Sequence, residues 1–113
     1  EVQGGIDGMD TLSKRGANFT AVVVGNDESA VGVYSWAKDH GLRIPDDISV
    51  IGYDDILLAS VLTPSLTTMH APNFDMAKRA ADSVFNEIYC KGSPLGGIFK
   101  TTLIERESVA TLI

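Results

Sequence analysis

The residues best suited to binding chemistry are two polar groups that each follow an apolar, β-branched segment. Asn26-Asp27 follows residues 20–25, and Asp54-Asp55 follows residues 48–53. An amide both donates and accepts hydrogen bonds, whereas a carboxylate accepts them. Adjacent hydroxyl groups of a sugar also donate and accept, so an amide and a carboxylate in one crevice predict a polyol or a nucleoside-like ligand.

Simpler roles for the same residues stay open. Asn26 or Asp27 is a typical helix N-cap, and one of them can cap while the other faces a ligand. Asp54-Asp55 is a common turn or cap pair. Two aspartates after a strand can also hold Mg²⁺ for phosphoryl transfer, but no third carboxylate or suitably placed lysine accompanies this pair.

Other chemistry-bearing residues do not form the pattern of a catalytic or cofactor site. His40 and His70 do not have the spacing of a metal site. Gly4-Gly5 and Gly96-Gly97 lack the strand-to-helix context of a phosphate loop. No nucleophile, base and orienting residue form a set. The sequence therefore predicts a protein that is not an enzyme and that needs no metal and no cofactor.

The elements that must position these residues alternate between strands and helices. Periodicity predicts helices over roughly 5–15, 28–40 and 73–92, strands over 20–25, 48–53, 66–69 and 98–104, and a short turn or helix ending at Ala59. The first two strands are continuously apolar, which is typical of strands buried on both faces. The alternation predicts an α/β fold with a doubly wound parallel sheet. In such a sheet, ligands bind beyond the carboxyl ends of the strands.

Length and charge narrow the possible partners. With 113 residues, 44% of them hydrophobic and 21% charged, the chain has the composition of one globular domain at most. The net charge is −6 and the nine basic residues are scattered, so we expect that this segment does not bind nucleic acid.

Cellular context follows from the same composition. No apolar run approaches the roughly 20 residues that span a membrane, and the single Cys90 fits a reducing compartment, so the sequence predicts a cytoplasmic protein. The chain begins at Glu1 rather than at methionine, which predicts a fragment of a longer protein.

The helix predicted over 28–40 carries more apolar surface than one sheet can cover. Its apolar residues lie on more than one face: Ala30, Val31, Val33, Tyr34, Trp36 and Ala37. A partner subunit would cover the surplus, since aromatic residues are enriched at interfaces. Another part of the same chain would cover it equally well.

Four motifs, in this order, resemble the LacI/GalR family of transcriptional repressors. They are FTAV with GND at 19–27, GLRIPDDISVIGYDD at 41–55, TPSLTT at 63–68 and LIERESVA at 103–110, and Gln3-Gly4-Gly5 with Met9 is similar to the galactose repressor branch. The resemblance implies a fragment of a fold like that of type I periplasmic binding proteins, with two subdomains hinged around an effector. It places residues 1–70 mainly in the C-terminal subdomain, 71–103 mainly in the N-terminal one, and 104–113 in a returning segment.

The same resemblance implies roles for individual residues. Asn26 and Asp54 would contact a small-molecule effector, with a sugar favoured. Val31, Tyr34 and Leu62 would lie in a homodimer interface. At Ala71 some members of the family have Gln, so one effector contact is altered. Operator DNA would be bound only through an N-terminal helix-turn-helix domain upstream of these residues.

Three functions are compatible with these features: a sugar-responsive repressor, an exported sugar-binding protein that serves a transporter, and a small α/β enzyme. The closing motif at 103–110 and the run PDDIS at 45–49 favour the repressor.

Overall fold

The computed structural model describes residues 1–112, which form two compact units. The first unit comprises residues 1–70 and 103–112, and the second comprises residues 71–102. The elements are α1 (Val2–Lys14), β1 (Ala21–Val23), α2 (Asp27–Asp39), β2 (Ser49–Asp54), α3 (Leu57–Val61), β3 (Thr67–His70), α4 (Asn73–Tyr89) and β4 (Thr102–Ile104). The assignment of the units to the subdomains of a larger core stays a prediction.

The strands form one sheet in the order β1-β2-β3-β4. The pairs β1–β2 and β2–β3 are parallel, with Val23 opposite Ile51 and Asp54 opposite His70. Helices connect the successive parallel strands, as parallel crossovers require. The predicted α/β class is confirmed.

Two expectations about the strands are wrong. β1 is not buried on both faces, because it is an edge strand of the sheet and Val23 is 80% exposed. The strand predicted over 98–104 forms only at Thr102–Ile104, since residues 98–101 join no ladder within the described chain.

The second unit contains α4, whose apolar stripe predicts a buried face. Phe74, Val84 and Ile88 are instead each more than half exposed, and none of the helix's residues is buried. The periodic pattern therefore identified the helix correctly but not the extent of its burial.

The core of the first unit lies between α1, α2 and the sheet. Its buried members include Met9, Val33, Trp36, Ile48, Val50 and Leu66. Trp36 is 6% exposed, its Nε1 donates to Asp10 Oδ1 at 2.8 Å, and its ring stacks on His40 at 3.9 Å. Because Asp10 belongs to α1, the same chain covers the Trp36 side of α2.

Close packing of α1 on α2 depends on glycines. A Cβ at Gly5 would collide with the backbone oxygen of Ser29, and one at Gly32 would collide with the backbone oxygen of Val2. One turn further along α1, a Cβ at Gly8 would have nothing within 4 Å.

Alanine substitutions at Gly5 and Gly8 are expected to change the free energy of unfolding in opposite directions. We expect Gly8→Ala to raise the free energy of unfolding by about 0.5–1 kcal/mol, because glycine is a poor helix former. We expect Gly5→Ala to lower it by about 2 kcal/mol through overpacking against backbone that cannot move aside. Urea denaturation followed by Trp36 fluorescence measures both, and changes of the same sign would contradict the packing described.

Candidate functional site

Asn26 lies just past β1 and begins α2. Its Oδ1 accepts a hydrogen bond from the Ser29 amide at 2.8 Å, so it is the N-cap of the helix. Its side-chain NH₂ group has no acceptor within residues 1–112, and the residue is only partly buried. Asn26 therefore caps the helix with one atom and can offer a donor to a ligand with the other.

Asp27 points into the protein rather than toward the edge of the sheet. It is 1% exposed. Its Oδ1 accepts from the Thr68 hydroxyl at 2.6 Å and its Oδ2 from the Ile56 amide at 3.0 Å. Of the roles that the sequence left open for Asp27, neither capping nor ligand binding fits, because both carboxylate oxygens hold the interior of the first unit together.

Asp54 ends β2 in an unusual backbone conformation. Its φ is 111° and that of Asp55 is 57°, where residues other than glycine are uncommon. Asp54 is partly buried, and its carboxylate makes no hydrogen bond or ion pair with any residue among 1–112. An unengaged carboxylate at the end of a central parallel strand is an available acceptor for a ligand.

The sheet brings Asn26 and Asp54 to the same edge. Val23 is paired with Ile51, and the Val24 amide still donates to the Ile51 carbonyl at 2.8 Å. Each strand then reaches its polar residue three positions after this register pair. The structure therefore places Asn26 and Asp54 at the same carboxyl edge of the sheet, and their contact with an effector stays a prediction.

Asp55 has structural partners that the sequence did not reveal. Arg106 Nη2 donates to its Oδ1 at 2.7 Å, and His70 Nδ1 lies 3.1 Å from its Oδ2. Arg106 belongs to the segment that follows β4, within the motif at 103–110, which was the available signal for its importance. Because both carboxylate oxygens of Asp55 already have partners in the protein, Asp55 is not free to share a metal with Asp54.

Ser108, in the same returning segment, joins β2 to β3. Its hydroxyl donates to the Val50 carbonyl at 2.6 Å and accepts from the Thr67 amide at 2.8 Å. Its carbonyl accepts from the Val50 amide at 2.9 Å. The segment after β4 thus completes the sheet that carries Asp54.

Two of the three predicted interface residues line one groove of the first unit. Val31 and Tyr34 line a groove of about 710 Å³ together with Leu42, Ile44 and Pro64. Tyr34 donates to the Pro64 carbonyl at 2.9 Å, and its burial raises the pKa of the phenol to about 12. Leu62 packs against the core. Their role in a dimer stays a prediction.

Within residues 1–112 there is no cluster of three or more His, Cys, Asp or Glu side chains that could hold a metal ion. No helix among them has the length and apolarity to cross a membrane.

Comparison with known proteins identifies the family. A model of the periplasmic binding protein-like domain matches residues 3–109. The ribose operon repressor of Escherichia coli K12 is 46% identical over 88 residues, which cover 78% of this chain and 27% of the repressor. The chain belongs to the LacI/GalR family of regulators.

Further LacI/GalR relatives match almost the whole chain. The HTH-type transcriptional regulator GalR of E. coli K12 is 38% identical over 109 residues, 96% of this chain and 32% of GalR. The crystal structure of a LacI-family regulator from Enterococcus faecalis V583 with bound ribose superposes with a TM-score of 0.91 at 30% identity, covering all of this chain and 42% of that one. The chain thus spans about a third of the length of the curated relatives, and the resemblance carried by the four motifs is confirmed.

Proposed function

We propose that this chain is part of the effector-binding core of a sugar-responsive transcriptional repressor. Asn26 and Asp54 form one wall of the effector site, and the effector is a sugar. Binding shifts the equilibrium between two conformations of the core, which changes how a helix-turn-helix domain elsewhere in the protein meets its operator. The protein acts in the cytoplasm.

The observation that carries the proposal is the alignment of two unengaged polar groups at the carboxyl edge of the sheet. The Asn26 NH₂ group donates and the Asp54 carboxylate accepts, and neither is used by another residue among 1–112. Neighbouring sugar hydroxyls need such a donor and such an acceptor. The ribose in the related E. faecalis structure makes ribose the first ligand to test.

The test is the affinity of the full-length protein that carries this chain for ribose and, second, for cellobiose, which is bound in the related structure of the transcriptional regulator CelR. We expect one of them to bind, and we expect Asp54→Asn to weaken binding about tenfold or more, because a hydrogen bond to a charged group contributes about 1.5–3 kcal/mol. Asn preserves the size of the side chain and tolerates a left-handed backbone. Calorimetry measures the affinity.

Asp39→Asn is the matched control, since Asp39 is exposed at the far end of α2. It should leave the affinity unchanged. Unaltered sugar binding by a folded Asp54→Asn protein would refute the assignment of Asp54.

We further propose that the groove beside Val31 and Tyr34 lies in a homodimer interface. The partly apolar lining of the groove supports this. We expect Val31→Arg to shift the full-length protein from dimer to monomer in sedimentation velocity, because a charge would be buried without a partner. Asp7→Arg, on the exposed side of α1, is the control for added charge. A Val31→Arg protein that remains fully dimeric would exclude this surface.

The two competing functions have less support. The ribose operon repressor and GalR of E. coli are transcriptional regulators, which favours a repressor over an exported binding protein or an enzyme. A secretory leader upstream of these residues in the gene, in place of a helix-turn-helix, would reverse that preference.

A further inference from the structure

The turn that carries Asp54 is held in a conformation that its residues do not favour. Asp54 and Asp55 both have positive φ, at 111° and 57°. Non-glycine residues stay in such conformations only where surrounding contacts fix them, and these positions cluster at ligand sites. Whatever fixes this turn also fixes the direction of the Cα–Cβ bond from which the Asp54 carboxylate extends.

Arg106 is one of two residues that hold the turn. Its Nη2 donates to Asp55 Oδ1 at 2.7 Å, while Nη1 donates to the Leu66 carbonyl at 2.9 Å. Its backbone amide donates to Thr67 Oγ1 at 2.9 Å. The side chains of Arg106 and Asp55 are 19% and 17% exposed. Because the guanidinium is planar and bonded at two places, it sets the position of Asp55 as well as neutralising it.

Asp27 also holds the turn. Its Oδ2 accepts from the Ile56 amide, the first peptide group after Asp55, at 3.0 Å. Its Oδ1 is fixed by the hydroxyl of Thr68, a residue with no exposed surface. The turn is therefore tied to β3 through Thr68 and to the returning segment through Arg106.

We propose that Arg106 and Asp27 are positioning residues for the effector-binding carboxylate of Asp54. They touch no ligand themselves. They keep the turn at residues 54–55 left-handed, so that Asp54 is presented to the effector without first having to be ordered. His70, the second side-chain partner of Asp55, is 48% exposed in its side chain and contributes less to this restraint. The proposal rests on the effector site proposed above.

A comparison of alanine with glycine at position 55 separates positioning from simple stabilisation. Both Asp55→Ala and Asp55→Gly remove the ion pair with Arg106. Only glycine adopts a φ near 57° without strain. We expect Asp55→Ala and Arg106→Ala to weaken ribose binding about tenfold in the full-length protein, and Asp55→Gly to weaken it only about threefold or less.

Rescue provides the second arm of the test. Adding Asp55→Gly to Arg106→Ala should recover most of the lost affinity, because a glycine keeps the turn left-handed without the contacts of Arg106. If Arg106→Ala does not fold, Arg106→Lys replaces it, since lysine keeps the charge but cannot bridge two acceptors with a planar group. Equal losses for alanine and glycine, with no rescue, would overturn the proposal.

Hydrogen exchange measures the protection of the amides in the turn without any ligand. It therefore distinguishes a wrong effector assignment from a wrong positioning role. If the unsubstituted protein binds neither ribose nor cellobiose, the effector proposal fails. The positioning role is then tested by the exchange of the peptide that contains Ile56. We expect its amide exchange to become at least about tenfold faster in Arg106→Ala while α2 keeps its protection. A uniform loss of protection throughout the first unit would show that Arg106 only stabilises the fold.

Discussion

Replacing Gly52 by alanine is expected to lower the free energy of unfolding by about 3 kcal/mol or more. Gly52 is buried in β2. A Cβ there would collide with Asp27 Oδ1 and lie 2.9 Å from Leu66 Cδ2. Asp27 cannot move aside without losing its hydrogen bonds to Thr68 and Ile56. The substitution therefore combines overpacking with the loss of buried hydrogen bonds.

Urea denaturation of the chain measures this effect. Gly25→Ala is the matched control, because a Cβ at Gly25, just past β1, would have nothing within 4 Å. It should change the free energy of unfolding by less than about 1 kcal/mol. Equal stability of the two variants would mean that the contact between β2 and Asp27 leaves room for a methyl group.

Ser108→Ala is the second substitution with a large expected effect. Removing the hydroxyl leaves the Thr67 amide and the Val50 carbonyl without their partner, and Ser108 has no exposed surface through which water could replace it. An unsatisfied buried polar group costs about 1–3 kcal/mol, so we expect a loss of about 3 kcal/mol in the free energy of unfolding.

Ser60→Ala serves as its control. The Ser60 hydroxyl donates to the Leu57 carbonyl within its own short helix and is exposed to water. Removing this hydroxyl should change the free energy of unfolding by no more than about 0.5 kcal/mol. A Ser108→Ala chain that unfolds at the same urea concentration as Ser60→Ala would show that Ser108 does not join the two strands.

The sequence was most informative about features that depend on residues adjacent in the chain. Apolar segments followed by a polar pair predicted both strand ends, and the N-cap preference of Asn26 is a property of adjacent residues. The edge of the sheet where Asn26 and Asp54 lie follows from these local signals together with the general rule for parallel sheets.

The remainder of the site depends on contacts between residues far apart in the chain. Arg106 and Asp55 are 51 positions apart, and Asp27 and Thr68 are 41 apart. Periodicity cannot indicate such pairs, so the sequence predicts Asp27 as a cap or a ligand contact, and Asp55 as a turn, cap or magnesium-binding residue. The exposed stripe of α4 shows the same limit, because a pattern specifies which face is apolar but not what covers it.

Ser108, which joins β2 to β3, is synthesised well after both of these strands. Ser108 follows Thr67 by 41 residues and Val50 by 58. At about 5–20 residues per second, a ribosome needs roughly 2–8 s to travel from Thr67 to Ser108. During that time the nascent chain presents an incomplete sheet, with a backbone amide and a carbonyl available to strands of neighbouring polypeptides. The order of the elements along the chain thus creates an interval of seconds in which β2 and β3 lack the partner that Ser108 later supplies.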